Sequence, residues 1–273
     1  MRSLLLIGTG LIGGSFAKAA KARAVFDRIV GVDRDGGALD RALALGIIDE
    51  AADGPGGDCD AVCVAVPVGA IAKHVREAVA YCDGPVFDVG SVKGAVIDAL
   101  DPVPPNFVPC HPIAGSDLQG PAAARADLFE DQTVVMTPVA ETDDGAAKAV
   151  RGYWEAVGAR VVVQAPAFHD ERFALVSHLP HLVAFAFMDA AAGTGHLDHA
   201  GTGFRDFVRI AGADPDIWTD ILEANAARIR PRLDDLVQVL RDFGTAMERG
   251  GKSLRGRIGS AVAAKRAFDE ADR

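Results

Sequence analysis

The feature that most limits what this chain can fold into is Gly8-Thr9-Gly10-Leu11-Ile12-Gly13, a GxGxxG run. It lies between an apolar run, Ser3–Ile7, and a stretch of helical periodicity, Leu11–Ala22. In such a junction the first glycine permits a tight turn and the second lets the backbone approach a pyrophosphate. The third lets helix and strand pack closely. Amides at the helix start, aided by the helix dipole, then favour phosphate. A second apolar run, Arg28–Val32, ends at Asp33, where a carboxylate can accept from ribose hydroxyls and would repel a 2′-phosphate. The expected cofactor is therefore NAD rather than NADP, with Arg34 softening the preference. The bland alternative is a glycine turn that binds nothing, with Asp33 as its cap. Strand, turn, helix, strand and acid all in register weigh against it.

The same alternation continues to about residue 165. Strands are expected at Ser3–Ile7, Arg28–Val32, Ala61–Ala65, Pro85–Val89, Asn106–Pro109, Thr133–Thr137 and Arg160–Val163. Helices are expected at Leu11–Ala22, Gly37–Leu45, Ala70–Ala80 and Ala146–Val157. This pattern predicts a Rossmann-type, doubly wound, mostly parallel sheet covered on both faces. From Ala167 onward the pattern is helical, broken near Gly193–Gly203, Gly212–Pro215 and Gly250–Gly251, with apolar stripes such as Leu233, Leu236, Val237 and Leu240. The division is thus a cofactor domain at 1–165 and an all-α domain at 166–273, whose apolar helices suit pairing with a second identical chain.

Bulk properties narrow the function classes. A net charge of −10 over 273 residues disfavours nucleic acid as a partner. Cys59, Cys63, Cys82 and Cys110 form no CxxC pair and read as free thiols of a reducing compartment. The chain starts without a secretory signal pattern, and the apolar stretch from Phe173 to Ala192 carries Ser177, His178, Pro180 and His181. It reads as a buried helix rather than a membrane span. A soluble cytoplasmic protein is expected.

Four further segments carry chemistry: Asp88-Val89-Gly90-Ser91-Val92-Lys93, His111-Pro112-Ile113-Ala114-Gly115-Ser116-Asp117, Ser177-His178-Leu179-Pro180-His181 and Phe204-Arg205-Asp206-Phe207-Val208-Arg209-Ile210-Ala211. In this order, with the glycine fingerprint, they make the chain resemble the prephenate/arogenate (cyclohexadienyl) dehydrogenase family of tyrosine biosynthesis over nearly its whole length. The resemblance implies NAD(P)-dependent oxidative decarboxylation. A ring alcohol loses hydride, the ring carboxylate leaves as carbon dioxide, and the ring becomes aromatic. It also implies a Rossmann domain followed by a helical domain that forms a homodimer.

Removing hydride from an alcohol carbon requires a group to take the hydroxyl proton, and neutral imidazole suits this. His111 looks like the family's catalytic histidine; a loop histidine capping a carbonyl is the alternative. Ser91 matches the serine that contacts the substrate hydroxyl and orients the histidine, though it could serve only as an N-cap. Lys93 is either functional or a solvated first-turn lysine. Val66 and Ser91 join Gly8, Thr9, Gly10, Leu11, Ile12, Gly13, Asp33 and Arg34 as expected cofactor contacts. A guanidinium can grip a carboxylate with two hydrogen bonds, and Arg209 matches the family's carboxylate-binding position. Arg205 is one turn earlier and could pair with Asp206. His181 looks like the substrate-contacting histidine, with Ser177, Ser116 and Asp117 also expected to line the substrate site. His178 reads as a buried histidine bonded to backbone. The His-x-x-His spacing could suggest a metal, but no third ligand is evident and none is expected.

Asp117 stands where many relatives have Glu, which shortens that arm. The chain reads as having no appended regulatory domain and no mutase domain, so any inhibition by tyrosine is expected to be by competition at the active site. Two other readings compete with this one. A β-hydroxyacid dehydrogenase or imine reductase would place a lysine acid/base in the helical half, where only Lys252 and Lys265 occur, in a charged tail. A non-catalytic NAD-binding protein has no reason to keep Ser91, His111 and Arg209 together.

Overall fold

The computed structural model describes residues 2–54, 56–115 and 118–271, which fall into two compact units, Met1–Ala226 and Ala227–Arg273. Strand β1 (Ser3–Ile7) is apolar nearly throughout because both its faces are covered. Leu4 and Leu6 join Phe16, Ala20, Phe87 and Trp154 in one core cluster. Leu5 and Ile7 join Val62, Ile71, Val75 and Val86 in the other. The chain continues through α1 (Leu11–Ala22), β2 (Arg28–Val32), α2 (Gly36–Ala44), β3 (Glu50–Ala51) and β4 (Ala61–Val64). It then runs through α3 (Val68–Ala78), β5 (Val86–Asp88), α4 (Gly94–Ala99) and β6 (Phe107–Val108). These six strands are parallel and ordered β3-β2-β1-β4-β5-β6. Strand order reverses between β1 and β4, which is where such sheets hold ligands beyond their carboxyl ends.

One expectation is corrected here. The segment after β6 does not stay in this sheet, and the last two strands do not join it. Instead β7 (Cys110–Pro112) pairs antiparallel with β8 (Thr133–Met136), and β8 pairs in parallel with β9 (Arg160–Val163), across helix α5 (Asp144–Ala156). The break falls at Pro109, which has no N–H to donate to a ladder; its carbonyl accepts from Thr137 N at 2.9 Å. His111 is consequently a strand residue, in register with Val135.

After β9 the first unit is helical. Helix α6 (Pro166–Phe173), a π-helical turn Ala174–His178 and α7 (Leu179–Ala192) form one continuous run, followed by α8 (Thr202–Val208) and α9 (Pro215–Ala224). Pro180 is the second residue of α7, in the first turn after the π-helical segment, where its missing N–H costs the helix little. The run from Pro166 to Ala192 is long and apolar enough to cross a membrane by composition. It is only partly buried, with Phe168, Leu175, Val176 and Phe187 exposed while His169, Asp170 and His178 point inward. The second unit consists mainly of α10 (Ala226–Arg249) and α11 (Gly251–Ala271), joined by an Arg257–Asp242 ion pair at 2.9 Å.

Candidate active site

The fingerprint turn has the shape its glycines require. Gly8 adopts φ +95, and a Cβ there would lie 2.2 Å from the Ala65 carbonyl oxygen. A Cβ on Gly13 would lie 2.2 Å from the Gly8 oxygen. Gly10 differs, since a Cβ on it would meet no heavy atom within 4 Å. Only the second glycine therefore faces open space, as expected where a pyrophosphate lies against the backbone. The cradle thus fits a dinucleotide. Asp33 sits at the end of β2 and accepts from Thr9 N at 2.7 Å, Thr9 Oγ1 at 2.9 Å and Asp35 N at 3.0 Å. It is both a turn tether and a half-buried acceptor with one lone pair to spare, on Oδ1. Leu11 and Ile12 are half-buried at the head of α1, Arg34 is exposed, and Val66 borders Gly8.

The loop leaving β5 is fixed by buried charge. Lys93 is fully buried and ion-pairs with Asp88 while donating to the Cys110 carbonyl at 2.6 Å. Asp88 also accepts from Gly90 N at 2.9 Å and Cys110 N at 3.0 Å. Lys93 is thus neither solvated nor peripheral, because it clamps the residue before His111. Ser91 is half-buried within this loop. Its hydroxyl does not cap α4. The Asp170 carboxylate does so from α6, accepting from Lys93 N at 2.9 Å and Gly94 N at 2.7 Å.

His111 is 9% exposed and lies edge-on to Phe173, with ring centroids 4.8 Å apart. Its Nδ1 is 2.8 Å from His169 Nε2, and His169 Nδ1 is 2.8 Å from Asp170 Oδ1. Burial, then the positive potential of His169, Lys93 and His178, holds the His111 pKa well below the ordinary imidazole value. Burial also lowers His169, against the pull of Asp170. For Asp170, burial acts upward, but bonds from His169 and the Lys93 and Gly94 amides outweigh it and leave the carboxyl below its usual range. Both imidazoles are neutral at pH 7 and the carboxylate is ionised.

Sequence reasoning missed His169 and Asp170. A His-Asp pair at a helix start carries no signal to separate it from a solvated turn.

The network extends into the helices. Asn225 Nδ2 donates to the Asp170 carbonyl at 2.9 Å and to His178 Nδ1 at 3.0 Å. His178 is buried as expected, though its partner is this amide rather than backbone. Burial pushes its pKa down to about 4, with Asp170 opposing and His169 and His181 adding. His181 donates from Nδ1 to the Ser177 carbonyl at 2.9 Å and stacks on Trp218 at 3.6 Å. Burial lowers its pKa, and the Arg209 guanidinium is near enough to lower it further. Arg209 follows α8 at the start of a 3-10 turn; Ser177 is half-buried. Arg205 is exposed, and its expected ion pair with Asp206 does not form. Ser116 and Asp117 lie outside the described residues.

A glycine cradle at the switch point of a parallel sheet, with a neutral buried imidazole in the same compact unit, defines a nicotinamide-dependent dehydrogenase. Comparison with known proteins narrows the class. The family model described as prephenate dehydrogenase, nucleotide-binding domain, matches residues 16–163, and that described as prephenate dehydrogenase, dimerization domain, matches residues 165–253. The chain is 34% identical to the cyclohexadienyl dehydrogenase of Zymomonas mobilis, covering 90% of this chain and 88% of that protein. It is also 34% identical to the prephenate dehydrogenase of Bacillus subtilis, covering 90% and 70%. Among solved structures, Aquifex aeolicus prephenate dehydrogenase in complex with hydroxyphenyl propionate and NAD+ superposes with a TM-score of 0.91. The identity is 31%, over 98% of each chain. The chain belongs to the prephenate dehydrogenase family.

Proposed function

We propose that this protein oxidatively decarboxylates prephenate, and accepts its amino analogue arogenate less readily, using NAD and working as a cytoplasmic homodimer in tyrosine biosynthesis. The observation that carries the reading is His111, a desolvated neutral imidazole held on a strand clamped by Lys93 and Asp88. The functional division follows the change of pattern, with the cofactor bound by 1–165 and substrate binding completed by 166–273.

NAD, when bound, would supply the acceptor for the hydride that leaves the carbinol carbon. As that carbon becomes carbonyl-like, the hydroxyl proton passes to His111, with Ser91 orienting the hydroxyl. The bond to the ring carboxylate then breaks, and its electron pair completes the aromatic ring. The ring oxygen, now phenolate, takes the proton back from His111. The base therefore only borrows the proton, and no net proton is released. The products are carbon dioxide, NADH and 4-hydroxyphenylpyruvate, or tyrosine from arogenate. Arg209 anchors a substrate carboxylate, with His181, Ser177 and Arg205 around it; Ser116 and Asp117 are proposed to line the same cleft. Gly8, Thr9, Gly10, Leu11, Ile12, Gly13, Asp33, Arg34, Val66 and Ser91 hold the cofactor. Following NADH absorbance with prephenate or arogenate, each with NAD and then NADP, tests this. The expected order is NAD with prephenate first, and no reduction with either substrate would refute it.

A further inference from the structure

The reading of His111 as base leaves open which of its nitrogens carries the proton at rest, and the buried chain behind it decides this. Asp170 is ionised, so it can only accept, and His169 must present Nδ1–H to it across 2.8 Å. A neutral His169 then has only a lone pair at Nε2. That nitrogen lies 2.8 Å from His111 Nδ1, so His111 must be the donor and carry its proton on Nδ1. Its Nε2 is left with the lone pair. No other assignment satisfies both contacts without a second charge in a site where His169 and Asp170 are fully buried.

We infer that His169 and Asp170 are positioning residues, which hold His111 in the Nδ1–H tautomer and so present Nε2 as the proton acceptor. The inference rests on the proposed role of His111 and assigns the residues that set it. The dyad is itself braced on several sides. The Lys93 and Gly94 amides grip the Asp170 carboxylate, Asn225 grips the Asp170 carbonyl, and the Phe173 ring covers both imidazoles at 4.8 and 4.5 Å. The charged or titratable groups that face it are His111, Lys93, Asp88 and His178. Free imidazole side chains in water favour Nε2–H, so the fold imposes the minority form on His111.

Nitrogen NMR of the wild-type holoenzyme, labelled only at histidine, reads the tautomer without recourse to activity. His111 and His169 are both expected as neutral Nδ1–H rings, and His111 found as Nε2–H overturns the inference. Two variants read the consequence. His169→Gln can still accept from His111 and donate to Asp170, and should keep kcat within about tenfold of wild type. His169→Phe offers His111 no acceptor and should lower kcat by about a hundredfold with KM for substrate and NAD little changed. Wild-type kcat in His169→Phe would also overturn the inference. Should the tautomers be as expected while His111→Asn remains active, the base reading fails while the tautomer that His169 and Asp170 impose on His111 stands.

Discussion

Replacing Lys93 with Met tests whether the buried ion pair holds the catalytic strand. The side chains of Lys93 and Asp88 are both fully buried. In the variant Asp88 would keep its two amide donors, Gly90 N and Cys110 N, but lose its cation, and the Cys110 carbonyl would lose its Nζ donor. Removing one partner of a buried pair typically costs about 3–5 kcal/mol, because an uncompensated charge remains. Against a domain stability of about 5–15 kcal/mol this is a large fraction. A urea titration should show the midpoint falling by roughly 1–2 M. The double variant Lys93→Met/Asp88→Asn removes the stranded charge while an amide oxygen still accepts one of the two N–H groups. It should therefore lose less than the sum of the single variants. A loss under about 1 kcal/mol in Lys93→Met, or strict additivity in the double variant, would refute the reasoning.

Three further outcomes follow from the geometry. Gly10→Ala adds a methyl to open space, so it should fold with an unchanged melting temperature and bind NAD at least about tenfold more weakly in a titration. Gly8→Ala drives a Cβ into the Ala65 carbonyl and should be destabilised outright. His178 has a folded pKa of about 4 against its ordinary 6.5. Below pH 6.5 the unfolded chain binds a proton that the native state refuses, so about 3 kcal/mol present at neutral pH is lost as pH falls from 6.5 toward 4. Urea titrations over that window should show the decline, with a shallower slope in His178→Leu. Arg209→Lys keeps the charge but loses the planar fork and should raise KM for prephenate by about tenfold or more while leaving KM for NAD alone.

Much of this was legible in the sequence because local physics set it. Strands β1, β2 and β9 and helix α1 occupy the residues their periodicity marks, since glycine, proline or aspartate punctuates their ends. The cradle was readable because Gly8, Gly10 and Gly13 have distinct steric duties. What could not be read depends on contacts distant in sequence. The escape of β7 into a second sheet turns on Pro109 and on a partner more than twenty residues downstream. Lys93 stayed open between a functional residue and a solvated first-turn lysine because nothing local shows that Asp88 and the Cys110 carbonyl enclose it. The His169–Asp170 dyad was invisible because its meaning comes from α6 docking on α4 and β7, which periodicity does not encode.

The central claim is that a neutral His111 takes the hydroxyl proton. Turnover of His111→Asn with prephenate and NAD, measured beside its NAD affinity and melting temperature, tests it most directly. The account predicts a kcat at least about a hundredfold below wild type, with fold and NAD binding intact. Turnover near the wild-type rate in a folded, NAD-binding variant would contradict it.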